Sequence, residues 1–169
     1  MLVYHGSNSI VNKPRLVEQT RGLDFGPGFY LTTSKEQAAR FSRIVFKRKD
    51  SGSAIVNVYD FDMPTALKKL AIRKFPYADI KWLRYVVQNR LKTYREDDYD
   101  LVIGAVANDT VMPTIQAHLS GFINEEATLI TLKASKLVDQ ICLKTEKALS
   151  LLKFINSYET TGNGASANG

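Results

Sequence analysis

The sequence predicts an α+β fold on three observations. The chain has 169 residues, 44% of them hydrophobic, which is the size of one domain and enough to bury about two-thirds of its unfolded surface. Short alternating apolar runs and amphipathic helical stripes both recur along it. They mix irregularly, without the regular alternation of strand and helix that a parallel doubly wound sheet needs.

Taken in order, Leu2, Val3 and Tyr4 read as a first short strand that ends at His5 and Gly6. A polar loop of about twenty residues follows. The stretch DFGPGFYLTT then sets Gly26, Pro27 and Gly28 before a strand around Phe29 to Thr32. Ser34, with Gln37 three residues on, is a capping-box pattern, and it opens a helix whose apolar face carries Ala38, Ala39 and Phe41. Ala54 to Phe61 alternates apolar residues at Val56 and Val58 and predicts a strand. The run ALKKLAIRKF stays open between helix and strand. Ala78 to Leu91 puts Ile80, Leu83, Val87 and Leu91 on one stripe, an amphipathic helix.

The second half repeats the mixture without repeating the sequence. Asp100 to Ala107 reads as a buried strand, PTIQAHLS as a short helix, and Asn124 caps another helix with acids in its first turn. LVDQICLKT predicts a strand, EKALSLL a helical turn that gives Glu146 the role of a helix N-terminal acid, and KFINSYE a last extended piece. The terminal TTGNGASANG has too little apolar surface to order itself. The expected domain is therefore residues 1–158, followed by a flexible tail, 159–169.

Lys and Arg total 23 against 17 Asp and Glu, a net charge of +6 and a pI near 9.4, which favours encounters with anions such as nucleotides, RNA or DNA. The basic residues read as scattered. The one dense run, Phe46 to Asp50, falls where the Ser34 helix ends, where cations suit the negative end of the helix dipole. A solvated helix end is the first reading of it and a nucleic-acid patch the second. Cys142 is the single cysteine, so no intrachain disulfide forms; between Ile141 and Leu143 it reads as a buried structural thiol. No stretch approaches the roughly 20 apolar residues of a membrane span, and the N-terminus lacks a basic segment before a long apolar run. A cytoplasmic protein with no membrane partner is expected.

Three pieces point to chemistry: Tyr4-His5-Gly6-Ser7 at the end of the first strand, Gly26-Pro27-Gly28-Phe29-Tyr30, and Val138-Asp139-Gln140 on a late strand. Singly, His5 is an ordinary strand-end histidine, Tyr30 a core aromatic and Gln140 a solvated strand residue. Together, and in this order, they resemble the motifs of the ADP-ribosyltransferase superfamily, in the branch of poly(ADP-ribose) polymerases and diphtheria toxin. Within it the chain is most similar to small bacterial domains of unknown function, over nearly all of its expected domain. The resemblance implies an ADP-ribosyltransferase-like fold, with split mixed sheets flanking an NAD cleft and helices at the periphery.

It also implies roles. NAD is the co-substrate and no metal is needed. Gly6 leaves its backbone open to the nicotinamide carboxamide, Ser7 orients the approach, and Tyr30 and Phe41 stack on the nicotinamide ring. Gly26 and Gly28 aim Tyr30, His5 donates to a ribose hydroxyl of the adenosine half, and Arg21 pairs with the pyrophosphate. Gln140 stands where the superfamily carries a glutamate. Its amide oxygen keeps a ribose hydrogen bond but lacks the charge that faces the developing cation, so slow, single transfer is expected. The implied function is mono-ADP-ribosylation of a macromolecular acceptor, nucleic acid or protein, by an intracellular toxin that an antitoxin partner restrains. NAD hydrolysis and a catalytically inactive NAD, ADP-ribose or nucleic-acid binding module are the alternatives.

Overall fold

The computed structural model describes residues 1–16, 22–92, 98–106, 111–133 and 138–160, an α+β arrangement with two sheets and several helices. The chain divides into two compact units, one made of Met1–Lys13, Leu31–Phe61 and Leu152 onward, the other of Pro14–Tyr30 and Asp62–Leu151.

The first unit holds a three-stranded antiparallel sheet in the order β1 (Leu2–Ser7), β3 (Ile55–Phe61), β7 (Leu152–Glu159). Helix α1 (Lys35–Lys49) lies on it through a cluster of Tyr4, Ala38, Val56 and Val58. Half of the expected capping box forms: the Ser34 hydroxyl accepts from the Gln37 N–H at 3.1 Å, whereas the Ser34 N–H donates to the Thr32 hydroxyl at 3.1 Å and the Gln37 side-chain oxygen accepts from Arg40 at 3.4 Å. The helix stops where Asp50 turns left-handed, φ 49°, and bonds back to the Phe46 carbonyl. Only two α1 residues are buried, Ala38 and Ser42, and both are small, so the helix backbone comes close to β1. Strand β7 reaches further than expected, because Glu159 pairs with Ile55 and the Thr160 N–H bonds the Ala54 carbonyl at 2.8 Å. The sheet thus takes two residues from the predicted tail, whose remainder lies outside the described residues.

The second unit carries a mixed sheet in the order β2 (Phe29–Leu31), β6 (Asp139–Leu143), β5 (Leu101–Ala105), β4 (Ile72–Lys74), with β4 parallel and β6 antiparallel to β5. Helices α2 (Met63–Lys69), α3 (Ile80–Arg90), α4 (Met112–Leu119), α5 (Glu125–Lys133) and the single turn α6 (Glu146–Leu149) complete it. Phe25, Phe75, Trp82, Tyr85, Val102 and Cys142 share its core, each large apolar side chain contributing about 1.5–3 kcal/mol by burial. The Trp82 indole N–H bonds the Ala105 carbonyl at 3.0 Å, so the ring enters the core with no polar atom wasted. The open run resolves into both of its readings. The Asp62 carboxylate caps α2 by accepting from the Thr65 N–H at 3.1 Å, the helix ends before Leu70, and β4 begins at Ile72. Glu146 stands in the first turn of α6 as expected. Among the described residues, no helix is long and apolar enough to cross a membrane.

Candidate functional site

In the first unit the His-Gly-Ser motif is the last part of β1, which runs one residue beyond Gly6, to Ser7. The Tyr4 N–H and C=O both turn away from β3 to pair with Thr32, at 2.8 and 3.0 Å. Peptide groups along a strand alternate sides, so those of Gly6 point the same way as those of Tyr4, off the open edge of β1. Gly6 is buried, and among the described residues nothing bonds this edge pair. The reason for glycine differs from the expected one. A Cβ at Gly6 would run into the Ala38 carbonyl oxygen and come 2.7 Å from the Ser42 nitrogen, so the missing side chain makes room for α1 over the sheet face. The Gly6 N–H and C=O lie in the sheet plane instead.

The segment after the motif is clamped from β3, which the sequence reading missed. Asn57, fully buried, accepts from the Val11 N–H at 2.8 Å and donates to the Ser9 carbonyl at 3.1 Å; the Tyr59 hydroxyl donates to the Val11 carbonyl at 2.5 Å. The alternation of Val56 and Val58 hid it, because it puts Asn57 on the other face, and that face is buried here as well. The Ser7 hydroxyl accepts weakly from the Ser9 N–H at 3.4 Å, and Phe41 lies exposed on α1.

In the second unit Tyr30 is half-buried with its ring against the core. Its hydroxyl donates to the Gly26 carbonyl and accepts from the Phe25 N–H at 3.2 Å. Burial above all, with Cys142 and Asp24 nearby, pushes that hydroxyl well above its ordinary pKa, so it stays a neutral donor. The glycines serve this closed loop. Gly26 takes φ 77°, and a Cβ there would stand 2.6 Å from the Asn89 side-chain oxygen. A Cβ at Gly28 would meet the Cys142 sulfur and come 2.7 Å from the Leu143 carbonyl, so the loop lies directly on β6. Asp24 anchors its start through Arg90, whose Nε donates to Asp24 Oδ1 at 2.7 Å.

Gln140 sits opposite Gly104 on β6 and two residues from Cys142, hence on the same sheet face. Its side-chain nitrogen is buried and, among the described residues, is the one such side-chain atom with no hydrogen-bond partner. Cys142 is fully buried, as its apolar neighbours indicated. Arg21 lies outside the described residues. A cavity of about 570 Å³ in this unit, walled by residues such as Phe75, Tyr77 and Leu132, is also lined by Val138 and Asp139 of the late-strand piece, but not by Gln140, Tyr30 or the loop glycines.

The sequence pattern described as "Protein of unknown function (DUF3990)" matches residues 1–154. The chain belongs to the DUF3990 family. Among curated proteins, porphobilinogen deaminase from Macrococcus caseolyticus (strain JCSC5402) is similar at 29% identity over 87 residues. That stretch covers 52% of this chain but only 28% of the deaminase, so the chain spans little more than a quarter of that relative's length. No solved structure matches. Within this DUF3990 protein, then, His5, Gly6, Ser7 and Phe41 belong to the first unit and Gly26, Gly28, Tyr30 and Gln140 to the second.

Proposed function

We propose that this DUF3990 protein is an NAD-dependent mono-ADP-ribosyltransferase with an ADP-ribosyltransferase-like fold. It moves ADP-ribose from NAD to a macromolecular acceptor, nucleic acid or protein, and releases nicotinamide. The observation that carries this reading is the Gly6 edge, a buried N–H and C=O side by side on one strand and unpaired among the described residues. A primary carboxamide is their complement, its oxygen accepting from the N–H and its NH₂ donating to the C=O. Buried polar groups left unpaired cost about 1–3 kcal/mol each, and a bound carboxamide removes that cost.

The remaining roles follow the resemblance. His5 donates to a ribose hydroxyl of the adenosine half, Ser7 orients the approach, and the resemblance assigns stacking on the nicotinamide to Tyr30 and Phe41. The Tyr30 hydroxyl, committed to Gly26, takes no part. Arg21 pairs with the pyrophosphate. As nicotinamide leaves, positive charge develops on its ribose. Gln140 is uncharged, and its partnerless atom is the nitrogen, a donor, where the sequence reading gave the ribose contact to the amide oxygen. It holds a ribose oxygen without countering the charge, so turnover is slow and transfer stops at one unit. Such an activity poisons the cell that makes it, which places the protein in the cytoplasm as a toxin with an antitoxin partner.

The same nitrogen favours a second reading, an NAD or ADP-ribose binding module without turnover, because a neutral donor binds ribose yet gives the cation nothing. NAD labelled in its adenylate half separates the two. Transfer puts label into macromolecules with release of nicotinamide, and Gln140→Ala, which loses the hold on the ribose and so its positioning, lowers that release about a hundredfold. Tight NAD binding without nicotinamide release hands the site to the second reading, and absence of NAD binding defeats both.

A further inference from the structure

Helix α1 concentrates charge that looked scattered along the sequence. Six of its 15 residues are Lys or Arg and one is Glu, which places +5 of the chain's net +6 on a single element. The helix dipole accounts for Lys47, Arg48 and Lys49 in the last turn, but its influence fades within that turn and does not reach Arg43, or Arg40, which bonds the Gln37 side-chain oxygen at 3.4 Å. At 3.6 residues per turn, Arg40, Arg43 and Lys47 fall within about 60° of one another. The Arg40–Arg43 and Arg43–Lys47 spacings set like charges against each other and weaken the helix. The lone acid, Glu36, accepts from the capping Ser34 hydroxyl. Among the described residues, no carboxylate pairs with Arg43, Lys47, Arg48 or Lys49.

Exposed apolar side chains flank this stripe on both sides. Phe41 and Ile44 stand on one and Phe46 on the other, with Phe46 about 160° around the helix from Ile44. A membrane-surface helix needs its apolar residues gathered on one face; here they are split by cations. Cations beside separate apolar and aromatic platforms suit a strand whose phosphates and base faces alternate.

We infer that the outer face of α1 binds single-stranded nucleic acid, with Arg40, Arg43, Lys47 and Arg48 on the phosphates and Phe46 and Ile44 against bases. This surface lies apart from the peptide edge of Gly6 in role, and it is read by binding alone, so it stands or falls independently of the transferase reading.

The test is fluorescence anisotropy of the whole chain with a labelled mixed-sequence strand of roughly 16 nucleotides, across salt. Four phosphate contacts predict about a fifty-fold loss of affinity between 50 and 200 mM salt. The double variant Arg43→Gln/Lys47→Gln keeps helix-forming side chains and reduces that loss to about sevenfold. Lys68→Gln/Lys69→Gln on α2 removes the same charge from another exposed site and leaves the salt dependence as in the parent. Thermal melts confirm that all three proteins are folded. Equal effects of the two variants would reduce the binding to bulk charge and overturn the assignment. So would equal or tighter binding of duplex, binding of phosphatidylserine vesicles in preference to the strand, or no binding at the lower salt.

Discussion

Replacing Gln140 by methionine removes a buried amide nitrogen that has no partner among the described residues while keeping the side chain's length. An unmatched buried donor is a liability in the free protein, so Gln140→Met should raise unfolding free energy by about 1 kcal/mol, read from urea midpoints. The same change should lower NAD turnover, and that opposition marks a residue kept for ligand and not for packing. Tyr30 behaves in the reverse way. Tyr30→Phe leaves the Gly26 carbonyl and Phe25 N–H without their shared partner and should cost about 1–2 kcal/mol of stability. Nicotinamide release per folded molecule should stay within a few-fold of the parent, because the ring remains. The glycine-tyrosine motif was legible in the sequence, but the use of its hydroxyl was not. That bond closes back on the motif's own loop, and the spacing of Gly26 and Tyr30 carries no sign of it.

At the scale of elements, local chemistry was legible and long-range packing was not. The Ser34–Gln37 cap, the stripe that became α3 and the alternation that became β3 all depend on residues within a turn of one another. Gly6 shows the limit. Its motif is readable, yet the reason it has no side chain is the backbone of α1, more than thirty positions later. Charge failed for a related reason: cations spread over fifteen residues look dispersed in a line and dense on a helix. Asp100 is another long-range device. Its carboxylate accepts from the Ala71 N–H at 2.9 Å and from the Thr145 hydroxyl at 2.8 Å, and Lys147 stands 3.5 Å away. Burial alone would raise its pKa, but these hydrogen bonds and the ammonium bring it below the ordinary carboxylate value. A lowered folded value means the stabilisation is complete above the unfolded pKa of about 4 and fades as pH falls through the folded one. Asp100→Asn should therefore cost about 1–2 kcal/mol near neutrality. Its stability should also fall less steeply than the parent's below about pH 4, in urea melts across acid pH.

Across the whole molecule, the α+β class and the order of strands were readable because each element carries its own pattern. The division into two units was not, since each gathers segments distant in the chain and no linker marks the boundary. The central claim is carboxamide recognition by the Gly6 peptide edge, and a calorimetric comparison of NAD with its deamidated form, nicotinic acid adenine dinucleotide, tests it directly. The two differ only where a carboxylate replaces the amide. A carboxylate still accepts from the Gly6 N–H but cannot donate to the Gly6 C=O, and two acceptors then face each other in a buried site. NAD should bind at least about tenfold more tightly, a difference of about 1.4 kcal/mol. Equal affinity for the two dinucleotides would contradict carboxamide recognition at Gly6.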